Sequence, residues 1–183
     1  MGKFVVPGIA LVVAAAVVAV VLVFVTRSSA PTSPAVSADK LVQQGLQAQA
    51  AGRTSVAVAD FQAASVKDPT NKFAYYDLGV LYQQRLNQPN LAAASYRKAI
   101  LADPTYKPAL FNLAILETTA DPAGAINLYN QLLQLNPNDA NVLFNLGLLL
   151  ISQNQAPAGH VDLRKAIQLN PALASRVPAG TTP

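Results

Sequence analysis

The 183-residue chain has no cysteine and no tryptophan, a single histidine, a single methionine, and charge on only 12% of its side chains. Without cysteine there are no disulfides and no thiol chemistry, a state compatible with either side of a membrane. His160 has no companion at a metal-ligand spacing, so neither metal nor cofactor is expected. Phosphate loops, nucleophile elbows and paired carboxylates are missing too, which argues against an enzyme. The nine acidic residues fall mostly at helix starts and exit turns, where capping accounts for them. Basic runs are also lacking: Arg97-Lys98 and Arg164-Lys165 are isolated pairs, so nucleic acid is not an expected partner.

One apolar run stands out. From Phe4 to Val25, 22 residues carry no charge, and 15 of them are Val, Leu, Ile or Phe. As a helix this run spans about 33 Å at ~1.5 Å per residue, enough to cross a hydrocarbon core of ~30 Å. The run exceeds the core of a cleaved signal peptide, and Pro31 directly follows the cleavage-like Ser28-Ser29-Ala30. Residues 1–27 are therefore expected to be a single-pass transmembrane anchor, and the uncharged Ser/Thr/Pro-rich residues 28–37 a semi-extended spacer. Lys3 and Arg27 nearly balance the flanks. The short N-terminal stub favours a cytoplasmic N-terminus, placing the rest of the chain outside a bacterial plasma membrane.

Beyond the spacer the chain repeats itself. Pro69, Pro104, Pro137 and Pro171 follow at intervals of 35, 33 and 34 residues, each closing an Asp-Pro or Asn-Pro pair. The residue before proline is pushed out of the α region, so each pair stops a helix. Between the stops, small residues recur at Gly45, Gly79, Ala114 and Gly147, and again at Ala57, Ala92, Ala125 and Gly159. Bulky residues answer them at Phe61, Tyr96, Tyr129 and Leu163. Spacings of three and four put these on one helix face, small residues admitting a close approach and bulky ones filling the gap left by the neighbouring unit. A period near 34 residues is that of a stacked helix-pair array, which makes a binding surface rather than a reaction centre.

Three strings, Tyr75 to Tyr82, Phe111 to Leu116 and Phe144 to Leu150, resemble the first helix of the tetratricopeptide repeat. Ser95 to Pro104 and Asp162 to Pro171 resemble its second helix and exit turn. The resemblance covers Ala38 to Pro171. It implies an all-α, right-handed superhelical array of about four helix pairs (38–71, 72–106, 107–139 and 140–173) behind the transmembrane helix, with 174–183 as a disordered tail. It also implies an inner groove lined by first helices, where the family binds extended or helical peptide segments. Carried over by position, the groove-facing residues are Val42, Gln43 and Leu46 in the first unit; Tyr76, Asp77, Val80 and Gln83 in the second; Phe111, Asn112, Ile115 and Thr118 in the third; and Phe144, Asn145, Leu148 and Ile151 in the fourth. Chaperone-tail docking is not expected, because the matching slots hold Val42, Leu46, Asp77, Pro108 and Asn112 instead of basic residues. Asn112 and Asn145, each able to donate and accept, are candidates to register a peptide backbone.

After Pro171 there is no room for a long capping helix, since Pro178 and Gly180 follow closely. Either Val161, Leu163 and Ile167 stay partly uncovered, offering a surface for self-association, or residues 172–176 fold back over them as one turn. The expected function is a membrane-anchored scaffold or adaptor that binds a protein or peptide partner, for complex assembly at a bacterial envelope. The alternative is an accessory subunit regulating a cell-wall enzyme.

Overall fold

A computed structural model describes residues 36–181. Eight helices run through it: α1 (Ala38–Ala50), α2 (Thr54–Lys67), α3 (Lys72–Gln84), α4 (Pro89–Ala102), α5 (Lys107–Ala120), α6 (Pro122–Leu135), α7 (Ala140–Ser152) and α8 (Ala156–Leu169). A 3-10 helix, Pro171–Arg176, closes the array, and there is no strand among the described residues. The expected anchor, Phe4 to Val25, lies outside the described residues; among those described, no helix is long and apolar enough to cross a membrane.

Helix boundaries follow from capping chemistry. Ser37 accepts from the Lys40 N–H at the start of α1, Asn71 from Ala74 at α3, and Asp139 from Asn141 and Val142 at α7. These side chains satisfy amides that have no partner inside the helix. Helices α4, α5, α6 and α8 carry proline in the first turn, where a missing N–H costs nothing. At each exit, Asp68, Asp103, Asn136 and Asn170 take extended backbone and accept from the N–H two residues on, at 2.9, 2.9, 3.4 and 3.2 Å. One turn is thus used four times. Lys72 reinforces the second of them by donating to Asp103 at 2.6 Å, which holds that carboxyl down at about 2.

In the first, second and fourth pairs the inner turn uses one left-handed residue, Gly52, Asn87 and Asn154 respectively. Glycine enters that region without steric cost and asparagine at little. The third pair is shorter. There Asp121 keeps φ at −143° and caps α6 directly through the Gly124 N–H.

Packing depends on the small and bulky slots. A Cβ built on Gly45 would stand 2.6 Å from the Phe61 ring, one on Gly79 2.5 Å from Tyr96, and one on Gly147 2.8 Å from the Gly159 carbonyl oxygen. Phe61, Tyr96 and Tyr129 are fully buried. Each bulky residue therefore fills the gap in the first helix of its own pair, not that of a neighbouring unit as the spacing had suggested. The physical reason is the short turn, which brings the two helices of a pair together before any neighbour arrives.

Four core clusters result. The first three each join one pair to the following first helix: Phe61 with Leu78 and Leu81, Tyr96 with Ala109 and Leu113, Tyr129 with Val142 and Leu146. In the last cluster Leu173 stands where another first helix would pack, against Leu143, Phe144, Leu163 and Ala166. The closing 3-10 helix is the opening turn of a unit that goes no further: its exit turn matches the other three, and Pro178 follows within the next few residues.

This turn settles the two expectations for the end of the array. Residues 171–176 fold back, Leu173 is buried, and Leu163, expected to be partly uncovered, is fully buried beneath it. Ile167 is half-buried and Val161 stays exposed. Residues 174–176, placed by sequence in a disordered tail, belong to the closing helix.

Gly79→Ala tests the small slot. The added methyl must displace the Tyr96 ring, and overpacking costs about 1–3 kcal/mol against a helix-propensity gain of ~1. The variant should unfold at lower temperature than the parent, as followed by circular dichroism at 222 nm.

Candidate functional site

Between α5 and α7 the array opens into a groove of ≈ 650 Å³, lined by Phe111, Ile115, Thr118, Asn145 and Leu148 together with Tyr129, Asn141, Ser152 and Arg176. Four of the predicted site residues, Phe111, Ile115, Asn145 and Leu148, therefore meet in one place. Ile115 is 40% exposed, and the other three are half-buried.

Phe144 does not join them. It is only 3% exposed, packed with Leu173, and the Arg176 guanidinium lies 5.1 Å above its ring. The closing turn takes the surface that Phe144 was expected to present. Arg176 enters the site in its place. It was missed because it follows the last helix stop, where a single turn over residues 172–176 was only one of two expectations and no groove position was carried over.

The second pair holds a different arrangement. Tyr76 packs against Tyr96 and Tyr106 with ring centroids 5.9 and 5.4 Å away, and Val80 packs against the same core. Asn112 donates its amide to the Tyr76 hydroxyl at 3.4 Å and the Tyr96 hydroxyl at 3.5 Å. Tyr96 in turn donates to Gln83 at 2.7 Å. Asn112 is thus engaged within the fold, holding adjacent pairs together through two tyrosines.

One repeat onward, the same network is dismantled. Phe111 occupies the Tyr76 slot and has no hydroxyl to offer Asn145. Thr118 occupies the Gln83 slot, is too short to reach, and donates to the Ile115 carbonyl at 2.8 Å. The Tyr129 hydroxyl is left buried with no hydrogen-bond partner among the described residues. Burial pushes this phenol up to about 12. A buried polar group left unpaired costs about 1–3 kcal/mol. Asn145, too, has no side-chain partner among the described residues.

Asp77 follows the same rule one repeat earlier. The residues that would face it in the first pair, Val42 and Phe61, carry no hydroxyl. Its carboxyl, half-buried without a donor, is pushed up to about 6 by desolvation. Gln43 and Leu46 are exposed at the far end of the array. His160 is half-buried at the start of α8, and no group of three metal-ligating side chains occurs among the described residues.

Residues 74–106 match the family described as "Tetratricopeptide repeat", and residues 123–154 the one described as "TPR repeat". The crystal structure of MamA protein superposes with a TM-score of 0.69 at 22% identity, over 75% of each chain. A tetratricopeptide repeat protein from Parabacteroides merdae reaches 0.67 at 26% identity, over 73% of this chain and 54% of its own. The first tetratricopeptide domain of Spaghetti (RPAP3), solved with an HSP90 peptide, reaches 0.58 at 18% identity, over 64% of this chain and 94% of its own. No curated protein matches the chain. The described residues form an all-α tetratricopeptide-type array, a fold typical of protein-interaction modules.

The two asparagines should respond differently to substitution. Asn112→Ala leaves two tyrosine hydroxyls short of a donor and should cost about 1–2 kcal/mol, whereas Asn145→Ala should fall within ~0.5 kcal/mol of the parent in urea unfolding. A pH series on Asp77→Asn provides a second check. The folded state binds the Asp77 proton more tightly than the unfolded chain, so the stability it contributes is fully present below pH 3.8 and is lost as pH rises through about 6. The Asn variant should therefore match the parent near pH 4 and exceed it at pH 7, by about 1 kcal/mol after allowance for solvent screening.

Proposed function

We propose that this chain is a membrane-anchored interaction scaffold that takes up a segment of a partner protein in its inner groove and serves complex assembly at a bacterial envelope. The observation that carries this reading is the ≈ 650 Å³ groove between α5 and α7, where apolar side chains are edged by amides and hydroxyls. A concave cleft that joins apolar side chains to convergent polar groups is a common form of binding site, and here the two kinds share the lining about equally. The same fold in the RPAP3 domain is solved with a peptide bound, which supports a peptide-like occupant here. The uncharged stretch from Phe4 to Val25 supports the anchor, and the short stub before it supports a cytoplasmic N-terminus with the array outside.

Co-purification from detergent tests the reading. Ile115→Glu places a charge on an exposed groove residue and should abolish recovery of the partner while leaving thermal unfolding almost unchanged. Reporters fused after Arg27 and at the C-terminus should be active only outside the cytoplasm. Partner recovery unaffected by the charge, or a cytoplasmic signal, would overturn the groove or the orientation respectively.

A further inference from the structure

Each exit turn carries the chain from the end of a second helix to the start of the next first helix, so a serial array brings its exit turns out along one edge. Contacts along that edge join one turn to the next. Asn71 donates to Asp39 at 3.5 Å, Lys72 to Asp103 at 2.6 Å, and Lys165 to the Pro137 carbonyl at 2.9 Å. The Phe73 and Tyr106 rings meet edge to face with centroids 5.8 Å apart. The chain enters the array on this same edge, at Ser37.

Here too stand the least covered apolar side chains. Val66 and Leu101 hold the same slot, two residues before the turn aspartate, and are 81% and 83% exposed. No other large apolar side chain among the described residues exceeds 55%. Leu135 and Leu169 are exposed one residue before the turn asparagine, and Phe73 is exposed at the start of α3. None of the five belongs to a core cluster. The last turn of every second helix thus holds an aliphatic side chain out to solvent, and a row of such residues marks an interaction surface.

The row is edged by cations. Lys40, Lys67 and Lys107 are exposed in the first or last turns of their helices and have no carboxylate partner among the described residues. The aspartates of this edge are spent inside it: Asp68 accepts from Thr70, Asp103 from Thr105 and Lys72, and Asp139 from the first amides of α7. Ammonium groups on apolar stems, beside aliphatic side chains and with the carboxylates turned away, match a boundary that is apolar on one side and anionic on the other.

We propose that the exit-turn edge docks on an anionic lipid surface, with Val66, Leu101 and Phe73 entering the headgroup–acyl boundary and Lys40, Lys67 and Lys107 on lipid phosphates. Charge complementarity and the tether select lipid as the occupant. The apolar run Phe4 to Val25 supplies a bilayer anchor, and residues 28–37 span about 35 Å even when fully extended, which keeps the entry edge within reach of that bilayer. The inference rests on the anchor of the reading above and adds the edge that the array turns to the membrane. None of these six residues lines the α5–α7 groove, so docking leaves the groove residues available to a partner.

The chain has no cysteine, so a single-cysteine variant takes a bimane label at one place only. Full-length Val66→Cys, Leu101→Cys and, exposed on the opposite edge, Arg53→Cys are reconstituted into vesicles of phosphatidylcholine and phosphatidylglycerol. Lipid carrying a nitroxide at the headgroup–acyl boundary should quench the first two labels several-fold more strongly than the third, and aqueous iodide should do the reverse. The contrast should shrink in phosphatidylcholine alone and at high salt. Lys67→Glu with Lys107→Glu should remove it while leaving thermal unfolding almost unchanged. Equal quenching of all three labels by nitroxide lipid overturns the docking. Labels shielded from iodide yet untouched by nitroxide lipid also overturn it, since a second copy or another protein then covers the edge. An alkaline carbonate wash tests the anchor separately. A chain that stays with the vesicles while its edge is unquenched keeps the anchor and loses the docking. A chain washed off although its edge was quenched beforehand keeps the docking and loses the anchor, and failure on both counts overturns both.

Discussion

The close approach of two helices at a residue with no side chain, or almost none, is the constraint on which the rest of the array depends. Where Gly45 and Gly79 face Phe61 and Tyr96, there is no room for a methyl group. That contact sets the separation of each pair, and the separation sets where the next first helix can lie. Because the buried residues of each of these clusters come from one pair and its successor, the array is stabilised locally and serially, as stacked repeats are. A serial fold exposes its ends. The last pair meets this need with a single 3-10 turn whose Leu173 takes the place of an absent helix.

That economy also shapes the groove between α5 and α7. The turn that covers the last core also covers Phe144 and places Arg176 over its ring, at the mouth of the groove. A longer capping helix would have filled the same end with helix surface. The polar wiring of the inner face then differs from one pair to the next although the backbone repeats. In the second pair it is closed on itself through Tyr76, Tyr96, Gln83 and Asn112. In the third it is open, because two residues that could close it have been replaced by ones that cannot. A repeat fold separates these two levels well: the buried small and bulky slots hold the backbone, and the groove-facing slots vary at little cost.

Much of the fold was legible from residue order. The four proline stops act over a few residues through backbone sterics, and the small and bulky slots show as a helical spacing repeated along the chain. Such effects need no knowledge of distant neighbours. The candidate site was legible only by position. Phe111, Ile115, Asn145 and Leu148 do meet in the groove, but Phe144 does not, and Asn112 turns out to hold the repeats together. Nothing in the order of residues shows whether a carboxamide meets a hydroxyl one repeat away or faces open space.

The sequence by itself determined an all-α repeat array, its period, its helix ends and the faces its helices bury, because these follow from local stereochemistry repeated four times. Only the tertiary structure decided which bulky residue fills which gap, that the chain folds back after Pro171, and which polar groups of the inner face are left unpaired. Each of those depends on distances of a few ångströms between residues as many as 36 positions apart, as from Tyr76 to Asn112. Hydrogen bonds fail within about half an ångström of their normal reach, so a register read from spacing cannot tell a satisfied group from an orphaned one.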